Sequence, residues 1–380
     1  MRAKHEVADV LHRHWTGVEQ SPHINGWQLR TLSAIKRCRT AALGGHEDAC
    51  TDCGAVREGF SYNSCRNRHC PKCQGKEREK WIQRREEELL PVPYFHVVFT
   101  LPDTLNQLAM HQPKDVYDAL FEAAWRTIKT FGNDVEHLGA NTGMISILHT
   151  WGQTLTLHPH LHCIVPGGGL TKENKWKTAK SKGKFLFPVK AMSPVFRGKY
   201  LDALKARNII LTKEQNDALY KNNWVVYAKR AFGNAQSVIE YLGRYTHKIA
   251  ISNHRIKSID ENSVTFSYKD YRKGAQKLEL PLDAMEFIRR FSMHILPKGF
   301  MRIRHYGILS STSKRISIPC IKAQVEVYRN PPLLKPYKIS DYNPKMCKHC
   351  KTETMVTIKI FTGRGPPHQI KSNEECMQPM

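Results

Sequence analysis

Three histidines occupy alternate positions in the segment HPHLHC, at 158, 160 and 162. Alternate side chains of a β-strand share one face, so the three imidazoles are expected on one side of a strand. His160 and His162 are the predicted ligand pair for a catalytic divalent metal ion. The expected ion is Mg²⁺ or Mn²⁺, because its open positions can polarise a phosphodiester. Gln153, at the end of the preceding strand, is the predicted third ligand, and His158 is its competitor.

Two tyrosines in YLGRYTHK are spaced for one turn of a helix, at positions 241 and 245. Either phenol could attack phosphorus and become covalently linked to a nucleic acid. Arg244 and Lys248 each follow a tyrosine by three residues, where a cation favours the phenolate or contacts DNA. Tyr241 and Tyr245 are therefore predicted nucleophiles, although aromatic pairs at this spacing also pack in ordinary cores.

Two CxxC pairs, Cys50 with Cys53 and Cys70 with Cys73, are separated by sixteen residues. This spacing is typical of a tetrahedral zinc site, so we predict one structural Zn²⁺ bound by these four thiolates. His46, Cys65 and His69 lie in the same segment, which leaves a second zinc or a different set of four ligands open.

A third CxxC pair, Cys347 with Cys350, lies near the end of the chain. The further ligands in its neighbourhood are His349, His368 and Cys376. Because these do not complete a recognisable pattern, free thiols are the favoured interpretation of the pair.

The charge is strongly positive, with 59 Lys and Arg against 34 Asp and Glu and a formal net charge of +25. A phosphate-rich partner, and so a nucleic acid, is the simplest explanation. Arg302 and Arg304 lie close to Tyr306, and this mixture suits contact with a DNA backbone and stacking on bases. An ordinary exposed basic strand is the alternative for this segment.

The segment organisation predicts an α+β domain. Strands are expected at YFHVVFTLP, at MISILHTWG and HPHLHCIVP as an antiparallel pair, and at NWVVYAKR. Helices are expected in two short stretches within residues 4–38, at Lys76–Leu90, at Lys114–Phe131 and at NAQSVIEYLGRYTHK. No long apolar window and no secretory signal are present, so we expect a cytoplasmic, nucleoid-associated protein without a membrane partner.

An ordered set of motifs extends from about His46 to Lys314: SYNSCRNRHCPKCQ, HVVFTLP, HTWGQTLTLHPHLHCIVPGGG, YLGRYTHKIAISNHRI and HILPKGFMRIRHYGIL. Together these motifs closely resemble the two-tyrosine, rolling-circle transposases of bacterial insertion sequences, which belong to the HUH endonuclease superfamily. Each motif alone would be weak evidence, but the ordered set is specific.

The resemblance implies an HUH nuclease domain with a central antiparallel sheet and flanking helices, preceded by a small zinc-binding domain. We expect a helical and zinc-binding domain at 1–90, a nuclease domain at 91–295 and a basic C-terminal region at 296–380. His160 and His162 match the family's metal pair, and Tyr241 and Tyr245 match its nucleophiles. The implied reaction nicks single-stranded element ends, forms a 5′-phosphotyrosine link and transfers the strand to a target.

Three alternatives remain at this stage. A rolling-circle replication initiator or relaxase would use the same chemistry, although the zinc-binding segment ahead of the histidines favours a transposase. A non-catalytic zinc-finger regulator would show buried tyrosines and no covalent adduct with DNA. A zinc hydrolase is disfavoured, because no HExxH motif supplies a general base. The oligomeric state is not predicted.

Overall fold

The computed structural model describes residues 3–73, 88–180, 186–229, 238, 249–325, 343–363 and 368–369. Its helices are α1 Val7–Arg13, α2 Trp15–Gln20, α3 Gly26–Lys36, α4 Asn106–His111, α5 Pro113–Asn133, α6 Val189–Lys205, α7 Lys213–Lys221, α8 Ala284–Met293 and α9 Lys314–Gln324. Its strands are β1 Gly45–Cys50, β2 Ser61–Tyr62, β3 Tyr94–Thr100, β4 Gly143–Trp151, β5 Leu157–Pro166, β6 Gly168–Leu170, β7 Trp176–Thr178, β8 Val226–Lys229, β9 Ile256–Ile259, β10 Ser263–Asp270, β11 Gln276–Asp283, β12 Ile303–Gly307, β13 Met355–Phe361 and β14 His368–Gln369.

A five-stranded sheet lies at the centre, in the order β12-β4-β5-β3-β8, and every neighbouring pair is antiparallel. Alternate residues of β3 and β5, such as Phe99 and Leu161, belong to the largest apolar core together with residues of α5 and α6. Pro113 begins α5 at a position where its missing N–H would have no helical partner in any case. The helices therefore cover one face of the sheet.

The opposite face of the sheet is partly apolar and partly polar. Toward one end, Ile145, Ile147 and Ile164 form a smaller apolar cluster with residues that include Ile321 and Val238. Toward the other end, the same face carries the histidines of β4 and β5, because side chains alternate along each strand.

A second sheet, in the order β11-β10-β9, packs with α8 against the N-terminal helices α1–α3. Leu11 and Leu32 of these helices share one buried cluster with Phe266 and Phe287. The N-terminal segment therefore folds directly onto residues that follow the tyrosine motif in the sequence.

The α+β prediction is confirmed. The structure contains the expected strands at β3, β4, β5 and β8 and the expected long helix at α5. Residues 4–38 form three helices rather than two, because α1 and α2 are separate helices that meet at His14. Most of the predicted helix over 76–90, and all of the predicted tyrosine helix except Val238, lie outside the described residues. Where the chain is described, no helix combines the length and apolar character needed to cross a membrane.

The described residues of the region expected at 296–380 pair with two different sheets. β12 completes one edge of the central sheet by pairing with β4, and β13 pairs with β1 in the sheet β14-β13-β1-β2. Strand edges carry unpaired backbone donors and acceptors, and pairing with these distant segments satisfies them. The described residues of this part of the chain are thus shared between the central sheet and the sheet that contains β1.

His294, at the end of α8, connects the second sheet's helix to the turn after β4. One ring nitrogen lies 3.1 Å from the Thr150 hydroxyl, and the other lies 3.1 Å from the Leu155 carbonyl oxygen. A neutral imidazole fits this arrangement, donating to the carbonyl and accepting from the hydroxyl. Burial lowers the pKa of His294 from 6.5 to about 4.

This environment predicts a loss of stability in acid. Above pH 6.5 His294 is neutral in both states, but as the pH falls toward 4 the unfolded chain takes up a proton that the folded chain refuses. We expect this group alone to remove about 2 kcal/mol of unfolding free energy between pH 7.5 and pH 5. Urea unfolding of the wild type and of His294→Gln at both pH values would measure the effect.

The comparison between the two proteins matters because other histidines and the thiol clusters also respond to acid. The variant should lose about 2 kcal/mol less than the wild type over this interval. An equal loss in both proteins would contradict the assignment of a depressed pKa to His294.

Candidate functional site

Three histidines from two neighbouring strands converge on the face of the central sheet that α5 and α6 do not cover. They are His149 of β4 and His160 and His162 of β5, and each offers a ligand atom within 4.8 Å of the others. His149 lies directly opposite His160 in the strand register, and His162 lies opposite Ile147. His149 and His162 are buried and His160 is half-buried, so the group is reached from the His160 side.

Hydrogen bonds orient the rings of His160 and His162. Nδ1 of His160 lies 2.7 Å from the carbonyl oxygen of His158, so this nitrogen donates and leaves Nε2 with its lone pair toward the cluster. Nδ1 of His162 lies 3.0 Å from Nε2 of the buried His96 on β3. Such outer partners fix the tautomer and orientation of ligand histidines. His96 is a residue that the sequence analysis did not identify.

The three imidazole nitrogens fit a transition-metal ion such as Mn²⁺. Nε2 of His160 and Nε2 of His162 lie 3.2 Å apart. Two nitrogens that bind one cation at about 2.1 Å have this separation when the angle between the bonds is near a right angle or slightly larger. A set of three imidazoles also admits zinc, and it is a poorer match to Mg²⁺, which prefers oxygen ligands.

Gln153, the predicted third ligand, is directed away from the histidines. Its side-chain oxygen accepts a hydrogen bond from the backbone N–H of Lys269 at 3.4 Å, and its carbonyl oxygen accepts one from Arg255. His158, the competitor, is exposed and lies 4.0 Å from Asp103. The third side chain beside His160 and His162 is instead His149. The signal for it was present in HTWG, since His149 faces His160 once the two strands are paired.

Trp151 and Arg302 form a layered contact beside His149. The rings of His149 and Trp151 stack with centroids 4.8 Å apart, and the Arg302 guanidinium lies 5.1 Å from the centroid of the Trp151 ring. Arg302 also donates to the carbonyl oxygen of Leu148 at 3.0 Å. Burial and the nearby charge of Arg68 lower the pKa of Arg302 to about 9. This packing restrains the end of β4 from which His149 projects.

Arg302 and Arg304, both predicted to contact DNA, are engaged within the protein. Arg302 is half-buried and makes the contacts described above, and Arg304 forms an ion pair with Asp118 and lies over the rings of Phe121 and Phe300. The segment is therefore not the exposed basic strand considered as its alternative. A DNA contact by these residues stays a prediction.

The structure divides the cysteines into two groups that differ from the predicted set. Cys38, Cys65, Cys70 and Cys73 form one group, and Cys50, Cys53, Cys347 and Cys350 form the other. The prediction of one site from Cys50, Cys53, Cys70 and Cys73 is therefore corrected, as is the interpretation of Cys347 and Cys350 as isolated thiols. The physical reason is that the pairing of β13 with β1 brings Cys347 and Cys350 beside Cys50 and Cys53. Cys38, just after the end of α3, lies beside Cys70 and Cys73.

The first group, which we call the N-terminal cysteine cluster, is enclosed by α3 and the turns that follow β2. The Cys73 sulfur lies 3.5 Å from that of Cys38 and 3.7 Å from that of Cys65, and the Cys65 N–H donates to the Cys38 sulfur. Four thiolates at such distances match a tetrahedral zinc site.

The two histidines considered as zinc ligands are used elsewhere. The described part of the chain places neither His46 nor His69 in a cysteine group. His46 lies 3.7 Å from Asp48, while His69 accepts a hydrogen bond from the Leu296 N–H and has its pKa lowered by burial. Arg68 donates to the carbonyl oxygens of Phe300 and Pro297, so this segment also anchors the approach to β12.

Tyr241, Tyr245, Arg244 and Lys248 lie outside the described residues. Val238, which precedes Tyr241 by three positions, is described and fully buried in the apolar cluster on the histidine side of the sheet.

Two family models match this chain, one over the cysteine-rich N-terminal part and one over the part that contains the histidines. The family model described as "Transposase zinc-binding domain" matches residues 10–101, and the one described as "Putative transposase" matches residues 143–316. The chain is 39% identical over 397 residues to "Putative transposase y4qJ" of Sinorhizobium fredii (strain NBRC 101917 / NGR234), across 96% of this chain and 98% of that protein. It is 26% identical over 314 residues to the transposase for insertion sequence element IS801 of Pseudomonas savastanoi pv. phaseolicola, across 78% and 74% of the two chains.

A zinc-binding segment joined to a histidine-bearing antiparallel sheet thus defines a DNA transposase. The chain belongs to the IS91-type family of insertion-sequence transposases. The family resemblance found in the sequence is confirmed, and with it a structural zinc-binding domain and DNA as the partner.

The geometry predicts which side chains determine metal affinity. His149→Ala removes one of three converging imidazoles, and we expect Mn²⁺ binding to weaken at least about tenfold, the lower end of the loss that even outer partners of ligands cause. Isothermal titration calorimetry on the zinc-loaded protein would measure this.

Gln153→Ala is the matched control, because Gln153 was the ligand expected from sequence but faces Lys269 and Arg255. We expect its Mn²⁺ affinity to stay within about threefold of the wild type, a difference of roughly 0.6 kcal/mol. A larger loss in Gln153→Ala than in His149→Ala would refute the three-histidine centre.

Proposed function

We propose that this transposase nicks and transfers single-stranded DNA through 5′-phosphotyrosine intermediates, as in rolling-circle transposition. The observation that carries the proposal is the convergence of His149, His160 and His162 on an accessible face of the sheet. In this proposal the three histidines bind the metal ion, and Tyr241 and Tyr245 are the nucleophiles.

Mn²⁺ or Mg²⁺ is the proposed occupant of the three-histidine centre, and a cation bound there would supply Lewis-acid polarisation of the scissile phosphate. The protein's own contribution is orientation. His96 and the carbonyl oxygen of His158 hold the rings of His162 and His160, and Trp151 stacks on His149. The ligand atoms therefore need little rearrangement on binding.

The tyrosines follow Val238 by three and seven residues. Val238 packs with Ile145, Ile147 and Ile164, which lie on the same sheet face as the histidines. This supports a tyrosine nucleophile acting next to the histidine centre.

In the proposed step, a tyrosine oxygen forms a bond to phosphorus and the bond from phosphorus to the 3′ oxygen breaks. The phenol gives up its proton, and the departing strand leaves with a free 3′-OH. Arg244 or Lys248 favours the phenolate or contacts the departing strand. The phosphotyrosine bond conserves the energy of the phosphodiester, so rejoining needs no nucleotide, and a second tyrosine can cleave while the first holds a strand.

A basic groove beside β12 is the proposed path for the DNA strand. It has a volume of about 740 Å³ and lies between the start of α5, the loop before β12 and the start of α9. Its lining includes Lys114, Lys298, Phe300, Arg304, His305 and Lys314. Cations together with aromatic groups suit a single strand, whose backbone is charged and whose bases are open to stacking.

A replication initiator or relaxase would share this chemistry, and the transposase relatives favour the proposed role over it. A regulator that binds DNA without cleaving it is the alternative from a different class. Covalent capture of DNA distinguishes that alternative from the proposal.

The test is denaturing gel electrophoresis after incubation with labelled single-stranded DNA that carries the element's ends, with Mn²⁺. We expect a protein–DNA adduct with the wild type, no adduct with the Tyr241→Phe/Tyr245→Phe double variant, and at least a 100-fold slower reaction with His160→Ala, the scale of loss of an electrostatic stabiliser.

Tyr227→Phe is the matched control, because Tyr227 is an exposed tyrosine on β8 whose phenol has no proposed role. It should form the adduct as the wild type does. Binding of the same DNA by the wild type without any adduct would support the regulator instead.

A further inference from the structure

The four sulfur atoms of Cys50, Cys53, Cys347 and Cys350 converge although the two pairs lie almost 300 residues apart. Cys350 lies 3.4 Å from Cys50 and 3.3 Å from Cys53, and Cys53 lies 3.7 Å from Cys347, measured between sulfurs. Sulfurs at the corners of a zinc tetrahedron with bonds of about 2.3 Å are about 3.8 Å apart. The separations are far longer than a disulfide bond, about 2 Å, and approach the tetrahedral value.

The two CxxC turns have the same backbone form. Gly54 follows the first pair with φ of 69°, and its N–H donates to the Cys50 carbonyl oxygen at 3.0 Å. Lys351 follows the second pair with φ of 60°, and its N–H donates to the Cys347 carbonyl oxygen at 3.1 Å. A lysine in the left-handed region costs of order 1 kcal/mol or more and persists only where the surroundings require it. Here the left-handed conformation of Lys351 is required by the CxxC turn, which faces the matching turn at Cys50 and Cys53.

Strand pairing delivers the second turn to the first. Cys50, the last residue of β1, is opposite Met355, the first residue of β13. Beside the sulfurs, the Thr354 hydroxyl lies 3.1 Å from the Cys50 sulfur, and the Thr352 hydroxyl donates to Asp52 at 3.0 Å. The arrangement therefore involves both backbone register and side chains of each turn.

We propose that Cys50, Cys53, Cys347 and Cys350 form a second structural zinc site that fastens residues 343–363 to the N-terminal domain. It is distinct from the N-terminal cysteine cluster. The matched zinc-binding domain, residues 10–101, contains only two of its four ligands. The inference is independent of the chemistry proposed for the histidine centre.

The segment contributes little buried surface. Within residues 343–363, Cys347 is the single side chain that the structure buries. Its contacts with the N-terminal domain include backbone pairing with β1, an ion pair between Lys359 and Glu47 at 2.8 Å, a hydrogen bond from the Thr357 hydroxyl to Asp48 at 2.9 Å and edge contacts of the Phe361 ring with two aromatic rings. Exposed ion pairs contribute at most about 1 kcal/mol, whereas metal binding in small cysteine sites supplies folding free energy directly. Loss of the metal should therefore weaken the attachment of this segment.

Zinc content measured by inductively coupled plasma mass spectrometry on the purified full chain tests the proposal. Because the three-histidine centre also admits zinc, the comparison is between proteins, and we expect Cys347→Ser/Cys350→Ser to hold one zinc ion fewer per chain than the wild type. Cys320→Ser is the matched control, because Cys320 lies on α9 outside both cysteine groups, and it should hold as much zinc as the wild type. Equal zinc content in the wild type and the double variant would overturn the proposal.

Alkylation of the native wild type gives a test that does not depend on a variant folding. Cys53 is exposed and Cys320 is half-exposed, so as free thiols both would react readily with iodoacetamide. We expect peptide mass spectrometry to show Cys320 modified while Cys53 and Cys350 are protected at least tenfold, with protection lost when a zinc chelator is added. Equal reaction of Cys53 and Cys320 before chelation would refute the second zinc site.

Discussion

Backbone hydrogen bonds between β4 and β5 set His149 directly opposite His160 and leave His162 one step further along the same face. A shift of this register by one residue would turn His149 toward the helices and bring Leu148 to the histidine side. The opposite face prevents this shift, because Leu148 and Leu161 are fully buried in the core beneath α5 and α6. The apolar packing on one face thus determines the chemistry that is available on the other.

Half-buried arginines connect this sheet to the rest of the molecule. Arg302 donates to Leu148, Arg68 to Pro297 and Phe300, and Arg255 to Gln153 and Ser267, in each case at backbone carbonyl oxygens. Burial lowers the pKa of all three guanidinium groups. Part of the large positive charge of the chain therefore serves to join the zinc-binding segment, the second sheet and the end of β4. Exposed cations, such as Lys298 of the groove beside β12, are available to DNA.

Local patterns were sufficient to predict the central elements of the fold. Alternation in HPHLHC predicted a strand with its histidines on one face, and periodicity over Lys114–Phe131 predicted α5. Partners that come from a distance could not be predicted in this way. His149 depends on the exact pairing of two strands across a turn, and the sequence alone favoured Gln153 as the third ligand, with His158 as its competitor. The three CxxC pairs look alike in sequence, so their division depends on β13, which meets β1 from the far end of the chain, and on Cys38, which carries no motif of its own.

The central claim is that β4 and β5 together build a three-histidine metal centre. Anomalous diffraction from a crystal of the protein soaked in Mn²⁺ tests it most directly. The account predicts an anomalous peak within bonding distance, about 2.0–2.3 Å, of ring nitrogens of His149, His160 and His162, and no bond to Gln153. A peak bound by His160, His162 and Gln153 without His149, or no peak at these histidines, would contradict it.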